Sequence, residues 1–278
     1  MIENLPTSGD EAARTLVLKV GYRGAGFSGY AEQEGQRTVA GELRHALETL
    51  LRRPCELVCA GRTDAGVSAT AQHVSLPLLP EELEREPRRL WRSLAAITPE
   101  DISIRGLYLA PSDFSARFDA QSRAYRYRIV YGNAQPVLLW GFAWWIKSPL
   151  DVDAMVQAAA PLVGEHDFTS FCKVSSAQQV RDAGRSLSRC LQRVEVHATQ
   201  EMGEDVLAID VTGNAFLHNM VRIIVGSLVE VGRGNRPVSW LVQALERRDR
   251  RAAGPTAPAE GLVLNGVRYP DGVLVPWH

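Results

Sequence analysis

An acidic residue in a glycine-bounded turn is the first candidate for chemistry in this chain. Residues 61–66 read GRTDAG, which places Arg62 and Asp64 close together after a run, CELVCAGR, that is typical of a strand. The glycines would let another backbone approach, so the turn could present a reactive carboxylate. From the pattern alone, an Asp in such a turn more often hydrogen-bonds its own backbone, and both interpretations stay open.

A second candidate is an arginine inside an apolar helix pattern. Residues 213–232 read GNAFLHNMVRIIVGSLVEVG, and Arg222 interrupts the apolar run. A buried guanidinium needs an anionic partner, which could be a functional carboxylate or a glutamate in a structural ion pair. His218 precedes this helix, but neither it nor any other histidine has the spacing of metal ligands.

A third candidate is the alternation of arginine and tyrosine in RAYRYRI at residues 123–129. With the two-residue period of a strand, Tyr125 and Tyr127 share one face, and Arg126 and Arg128 share the other. Such a strand could contact nucleic acid. It could equally place tyrosines over a core and arginines in solvent.

Composition limits the class of protein. With 278 residues, 45% of them hydrophobic, the chain can bury a substantial core. Its formal net charge of −1 does not by itself indicate a polyanionic partner. Arginines do cluster, which allows a basic face; the clusters are Arg117, Arg123, Arg126 and Arg128, and Arg181, Arg185, Arg189 and Arg193. An arginine-biased genome would give the same abundance of arginine.

Several features predict location and exclude other functions. No stretch approaches the roughly 20 apolar residues of a membrane span, and the leader lacks a secretion signal, so a cytoplasmic protein is expected. The four cysteines form no CxxC pair, which favours free thiols in a reducing compartment over a zinc site. The motifs of P-loop hydrolases, dinucleotide enzymes, zinc proteases and serine hydrolases are missing from the sequence.

The elements that must position these residues alternate between strands and helices. Strands are predicted at 15–22, 55–62, 102–109, 124–131, 191–198 and 206–213, with QHVSLPL as the return partner of the second, and a last strand after AAGPTAPAEG. Helices are predicted at 39–53, with Thr38 as N-cap, and at 83–97, 151–164 and 219–232. This order predicts an α+β fold with mainly antiparallel strands, helices packed on the sheet and two halves, 1–114 and 115–278.

In the order of its motifs, the chain resembles the tRNA pseudouridine synthase A family. The likeness rests on GRTDAGVSA (61–69), SARFDAQSRAYRYRI (115–129) and GNAFLHNMVRIIVGSLVEVG (213–232), supported by GEHDFTSF (164–171) and GPTAPAEGL (254–262). Five ordered matches over most of the chain are very improbable by chance. The resemblance implies two pseudo-symmetric halves around a central cleft.

The resemblance also implies roles for single residues. By position, the catalytic aspartate of the family falls on Asp64, its active-site tyrosine on Tyr125 and its carboxylate-pairing arginine on Arg222, while Arg62 resembles the residue that fills the space of a flipped base. The implied reaction converts uridine to pseudouridine at positions 38, 39 and 40 in the anticodon stem-loop of tRNA. It needs no cofactor and no metal, and the implied assembly is a homodimer without a membrane partner.

Departures from the family pattern leave two rival functions open. The family usually has other residues at four positions, which here are Arg23, Tyr30, Ala31 and Ser68. These departures concern the docking of RNA and the choice of modified position, and they leave the residues assigned to the chemistry unchanged. One rival is a catalytically degenerate RNA-binding or tRNA-folding protein of the same fold. The other is a pseudouridine synthase that acts on another RNA stem.

Overall fold

A computed structural model describes residues 14–278. The prediction of no secretion signal rests partly on residues 1–13, which lie outside the described residues. No helix from Arg14 onward is long and apolar enough to cross a membrane.

One large and mostly antiparallel sheet organises the described residues, as the α+β prediction requires. Along its main path the strands follow the order β11-β4-β1-β3-β10-β5-β9-β8-β7, while β2 pairs with β3 and β6 with β5. The strands are β1 (Arg14–Tyr22), β2 (Val58–Cys59), β3 (Ser68–Leu78), β4 (Ile102–Ala110), β5 (Ser122–Tyr131), β6 (Trp144–Ile146), β7 (Gly164–Asp167), β8 (Ser188–Glu201), β9 (Glu204–Gly213), β10 (Leu262–Arg268) and β11 (Val275–Pro276).

The late strand β10 joins the early and late parts of the sheet. It runs parallel to β3, with Val263 opposite Ser68, and antiparallel to β5, with Leu264 opposite Tyr125. Because β10 lies between them, the start of β3 and the middle of β5 are held close together. The Asp64 turn directly precedes the start of β3, and Tyr125 lies in the middle of β5, so the two are brought together.

The helices pack on this sheet. They are α1 (Val39–Leu51), α2 (Pro80–Leu83), α3 (Pro87–Ile97), α4 (Val152–Ala159), α5 (Val174–Asp182), α6 (Met220–Gly232) and α7 (Trp240–Arg247). The predicted N-cap of α1 is confirmed, since the Thr38 hydroxyl accepts a hydrogen bond from the Gly41 amide at 3.3 Å. Helix α3 packs on α1 and β4, whereas α4 contacts α6 and β8, so each part of the sheet has its own helical cover.

Three predicted elements differ from the structure. The helix predicted at 83–97 is split, because Pro87 takes the first helical position of α3 and cannot continue a helix from before it. Pro161 likewise ends the regular part of the 151–164 helix at Ala159, with a short 3-10 turn after it. The strand predicted at 55–62 is reduced to Val58–Cys59, although the Ala60 amide still donates to the His73 carbonyl at 2.9 Å.

The arginines of β5 serve the fold. Arg126 donates to both carboxylate oxygens of Asp210 at 2.8 Å, and Arg128 donates to Glu201 at 2.6 Å. Arg123 is buried and donates to backbone carbonyls, among them that of Ala60 at 2.9 Å. The interpretation that the arginines of this strand extend into solvent is therefore wrong, because all three are held by partners inside the protein.

The tyrosines of β5 do lie over the core, as the two-faced interpretation predicts. Tyr127 is fully buried, and its hydroxyl donates to the Pro258 carbonyl at 2.8 Å. Tyr125 is 7% exposed. The cysteines are unpaired, and Cys55 and Cys172 are buried while Cys59 and Cys190 are half-buried, in line with the predicted free thiols.

Candidate active site

The Asp64 turn is a tight and specific backbone structure. The Val67 amide donates to the Asp64 carbonyl at 3.1 Å, and Gly66 has a φ of +80°, a conformation that favours glycine. A Cβ at Gly66 would also lie 3.1 Å from the Cβ of Ala259. The turn is thereby pressed against the loop before β10, and the Asp64 side chain projects from it with 21% of its surface exposed.

The segment after β1 supports this turn from the other side. The Tyr22 and Thr63 hydroxyls are hydrogen-bonded at 2.8 Å, and the Tyr30 amide donates to the Thr63 carbonyl at 3.1 Å. The Gly24 amide donates to the Ser68 hydroxyl at 3.0 Å. Of the departures from the family pattern, Ser68 thus supports the turn that carries Asp64 with its hydroxyl, whereas Tyr30 supports it with its backbone amide.

Arg222 lies directly against Asp64. Its Nη1 is 3.2 Å from Oδ2 of Asp64, across 158 positions of sequence, and 3.2 Å from Oδ1 of Asn219. Its Nε donates to the Ala257 carbonyl at 2.8 Å. With three separate acceptors and only 17% of its side chain exposed, the guanidinium is held in one position beside the carboxylate.

The loop at 254–258 clamps Arg222 through helix α6. The Ala257 amide donates to the Arg222 carbonyl at 3.0 Å, and the Gly254 amide donates to the Ser227 hydroxyl at 2.9 Å. Close approach requires glycine at the next point of contact, since a Cβ on Gly226 would lie 1.9 Å from the Pro255 carbonyl oxygen. This loop therefore fixes the position of the guanidinium as well as of the turn.

We expect Gly226→Ala to lower the free energy of unfolding by about 1–3 kcal/mol, because a methyl group there must displace backbone and not a flexible side chain. It should also weaken activity by moving the Ala257 carbonyl away from Arg222. Denaturant unfolding measures the first effect and turnover the second. Gly234→Ala is the control for activity, since its Cβ meets no atom within 4 Å; its φ of +73° makes alanine strained there, so its stability is not the reference. Equal stability of wild type and Gly226→Ala would contradict the close packing.

Tyr125 lies beneath the start of the same turn. A Cβ on Gly61 would be 3.7 Å from the Tyr125 hydroxyl, and the ring packs edge-on against Phe216 with centroids 5.0 Å apart. Burial, together with the negative charge of Asp64, raises the pKa of the Tyr125 phenol well above its usual value. The hydroxyl therefore stays protonated at working pH, and Tyr125 can act as a rigid surface and hydrogen-bond donor.

Arg62 occupies the exposed side of the turn. It is two positions from Asp64, and among residues 14–278 its side chain makes no hydrogen bond or ion pair. A long planar cation in this position is available to a bound ligand and can stack on a base. Its role in the space of a flipped base remains a prediction.

His218 is a site residue that spacing in the sequence did not reveal. Its Nε2 lies 3.4 Å from Oδ1 of Asp64, and its Nδ1 is hydrogen-bonded to the Ser176 hydroxyl at 2.8 Å. Arg222 and His218 thus flank different oxygens of one carboxylate. No sequence pattern signals it, because His218 precedes α6 and its contact with Asp64 arises only through packing.

We expect His218→Ala to reduce turnover about tenfold, because Asp64 loses one of two groups that orient it. Single-turnover rates at saturating RNA measure this effect. Ser176→Ala should cause a smaller loss in the same direction, since it frees the imidazole to rotate. His45→Ala, at an exposed position on α1, is the control, and an unchanged rate for His218→Ala would contradict the positioning role.

Together these groups form a candidate active site built around the Asp64 carboxylate, and the site is open to solvent on the side of Arg62. Asp64 is hydrogen-bonded by Arg222 and lies 3.4 Å from Nε2 of His218, and Tyr125 supplies a buried aromatic wall next to it. An ionised carboxylate in this setting can add to an electrophilic carbon or accept a proton. Because the reacting group must come within about 3 Å of Asp64, a base in a nucleic acid would have to leave its stack to reach it.

Comparison with known proteins identifies the family. Residues 158–270 match the family model described as tRNA pseudouridine synthase. A tRNA pseudouridine synthase A of Xanthomonas oryzae pv. oryzae is 41% identical over 263 residues, which cover 94% of this chain and 96% of that protein. One of Bordetella petrii is 40% identical over 257 residues, 92% of this chain and 91% of that protein. Relatedness of this extent runs through both the Asp64 turn and helix α6, and the chain belongs to the tRNA pseudouridine synthase A family.

Proposed function

We propose that this protein isomerises uridine to pseudouridine in the anticodon stem-loop of tRNA, at positions 38, 39 and 40, with Asp64 as the catalytic carboxylate. The observation that carries the proposal is the Asp64–Arg222 pair, which joins the two most specific motifs of the chain at 3.2 Å. The names of the relatives, tRNA pseudouridine synthase A, support the reaction class.

The chemistry suits a single oriented carboxylate. The bond from C1′ to N1 of uracil breaks, the base turns, and C5 joins C1′ while the hydrogen on C5 leaves and N1 gains one. The reaction has no net redox change and no energy input, so we propose no cofactor and no metal. Asp64 acts either by adding to the nucleotide or by removing a ribose proton in an elimination route.

The other site residues handle the nucleotide. The target uridine is stacked in an RNA helix or loop, and its extrusion leaves a gap that a planar cation can fill. Arg62 is exposed beside Asp64 and suits that role. Tyr125 would stack on or orient the extruded base, while Arg222 keeps Asp64 in place.

Recognition of neighbouring positions fits binding by shape. A stem-loop is grasped mainly through its phosphates and its A-form geometry, so one cleft can serve several adjacent uridines. We place the protein in the cytoplasm, where tRNA is modified and where its free cysteines would stay reduced.

We also propose a homodimer and a division into halves at 1–114 and 115–278. The division assigns Arg62 and Asp64 to the first half and Tyr125 and Arg222 to the second. An exposed apolar loop in the second half supports self-association, since Val137, Leu138 and Trp140 are 76%, 58% and 63% exposed. Sedimentation of wild type and Trp140→Ser would test the dimer: a monomeric wild type contradicts it.

The experiment for the proposed position is deletion of the gene followed by mapping of pseudouridine in all cellular RNA. Loss confined to positions 38, 39 and 40 of tRNA supports the proposal. Loss in another RNA stem would favour the rival substrate that Arg23, Tyr30, Ala31 and Ser68 suggested. No loss anywhere would favour the degenerate RNA-binding protein.

A further inference from the structure

A separate pocket adjoins the Asp64 site. It has a volume of about 500 Å³ and is lined by Lys173, Val174, Ser175, Asn219, Ile223, Arg250 and Thr256. Asn219 belongs to both places, because its side-chain oxygen accepts a hydrogen bond from Arg222 at 3.2 Å. The backbone of Lys173 is tied to the site as well, since its amide donates to the His218 carbonyl at 3.1 Å.

The two cations of this pocket have no internal counter-charge. Within residues 14–278, neither Lys173 nor Arg250 has a carboxylate oxygen within 4 Å, and the neighbouring Asp249 is paired with Arg251 at 2.8 Å. Among the described residues, Arg250 donates only to the Ala253 carbonyl and the Thr256 hydroxyl, both at 3.4 Å. Burial lowers the pKa of Arg250, and no carboxylate opposes that shift.

Two other half-buried arginines differ from Arg250 in having a carboxylate partner. Arg222 is paired with Asp64, and Arg126 with Asp210. In the part of the chain that the structure describes, Arg250 has no such partner, and its two long hydrogen bonds leave guanidinium N–H groups available to an anion. The start of α5, at Val174 and Ser175, lies in the same wall, and the positive end of a helix adds to the attraction for an anion.

The rest of the lining suits a nucleotide. Val174 is 66% exposed and Ile223 forms part of the lining from α6, so the pocket offers apolar contact beside its cations. Ser175 and Thr256 add hydroxyls that can hydrogen-bond phosphate or ribose oxygens.

We propose that this pocket binds a nucleotide flanking the target uridine in the substrate RNA, with its phosphodiester held by Lys173 and Arg250. The inference rests on the proposed function and adds a binding site to it. When the uridine is extruded toward Asp64, the adjacent backbone must bend out of its helical path, and two cations beside the site stabilise it there. Phosphate contacts of this kind fix the register of the RNA without reading its sequence.

The test is a cycle between charge removal in the protein and charge removal in the RNA. The protein variants are Lys173→Gln, Arg250→Gln and the double variant, each also carrying Asp64→Asn so that binding is measured without turnover. The control is Arg88→Gln with Arg92→Gln, an exposed pair on α3 with the same loss of charge. The ligand is a synthetic anticodon stem-loop in which single phosphates on either side of the target uridine are replaced by neutral methylphosphonates.

We expect the double variant to bind the natural RNA about ten- to a hundredfold more weakly, and to lower the salt dependence of log Kd by about one for each cation removed. One methylphosphonate next to the target uridine should weaken RNA binding by the protein that carries Asp64→Asn alone and keeps both cations. It should not weaken RNA binding by the double variant. The exposed Lys173→Gln, which removes no internal contact of its side chain, should show the same coupling at smaller size, so misfolding is not an explanation.

The proposal would be overturned if each methylphosphonate lowered the RNA affinity of the double variant and of the α3 control by the same factor, whichever phosphate it replaced. Pseudouridine formation by wild type in this stem-loop, measured in parallel, separates the two levels. Product without coupling at any linkage rejects the phosphate pocket and leaves the proposed function standing. No product with the wild type overturns both.

Discussion

Asp64→Asn is expected to abolish pseudouridine formation while leaving tRNA binding within a few-fold of wild type. Asparagine has nearly the same shape, but it can neither add to carbon as a carboxylate nor accept the proton. Loss of a central catalytic group typically costs on the order of 10⁴-fold or more in rate. The turn itself should persist, because its hydrogen bond runs from the Val67 amide to the backbone carbonyl of residue 64.

Single-turnover product formation and filter binding of the same tRNA transcript measure the two effects. Asp113→Asn, at an exposed position, is the matched control and should behave as wild type in both. If Asp64→Asn kept even a tenth of the wild-type rate, the carboxylate would not be the catalytic group. If it lost binding as strongly as turnover, the effect would be on folding or docking.

Arg222→Ala is expected to reduce turnover by on the order of a hundred- to a thousandfold, because preorganised charge next to the reacting group is removed. It should also destabilise the fold, since Asp64, 21% exposed, and the Ala257 carbonyl each lose a partner. Arg222→Lys keeps the charge. A single ammonium cannot donate to the Ala257 carbonyl and to Asp64 with the geometry of the guanidinium. The rate of Arg222→Lys should therefore fall between those of wild type and Arg222→Ala.

Rates at saturating tRNA and thermal unfolding curves check this prediction. Arg247→Ala, exposed in the last turn of α7, is the control for loss of an arginine. A wild-type rate in well-folded Arg222→Ala would show that the ion pair is structural only. That result would restore the interpretation of Arg222 that the helix pattern alone left open.

The sequence predicts the regular elements where side-chain pattern and local signals agree. Strands β1, β4 and β5 and helices α1 and α6 form where periodicity placed them, and Thr38 caps α1. Errors arise where proline decides where a helix begins or ends. Pro87 and Pro161 shorten helices that periodicity extends.

The site could be predicted only in part. Motif likeness placed Asp64, Tyr125 and Arg222 as a group, although spacing alone left each with a structural alternative. Sequence could not assign His218, because its partner Asp64 is distant along the chain and they meet at 3.4 Å only through packing. The pairing of Arg126 and Arg128 could not be predicted, because their partners Asp210 and Glu201 lie on other strands of the sheet.

Incubation of purified protein with unmodified tRNA transcripts, followed by mapping of pseudouridine at single-nucleotide resolution, tests the central claim most directly. The expected result is pseudouridine at positions 38, 39 and 40 wherever a uridine stands there, with none formed by Asp64→Asn. A well-folded wild type that binds the transcripts and forms no pseudouridine at any position would contradict it.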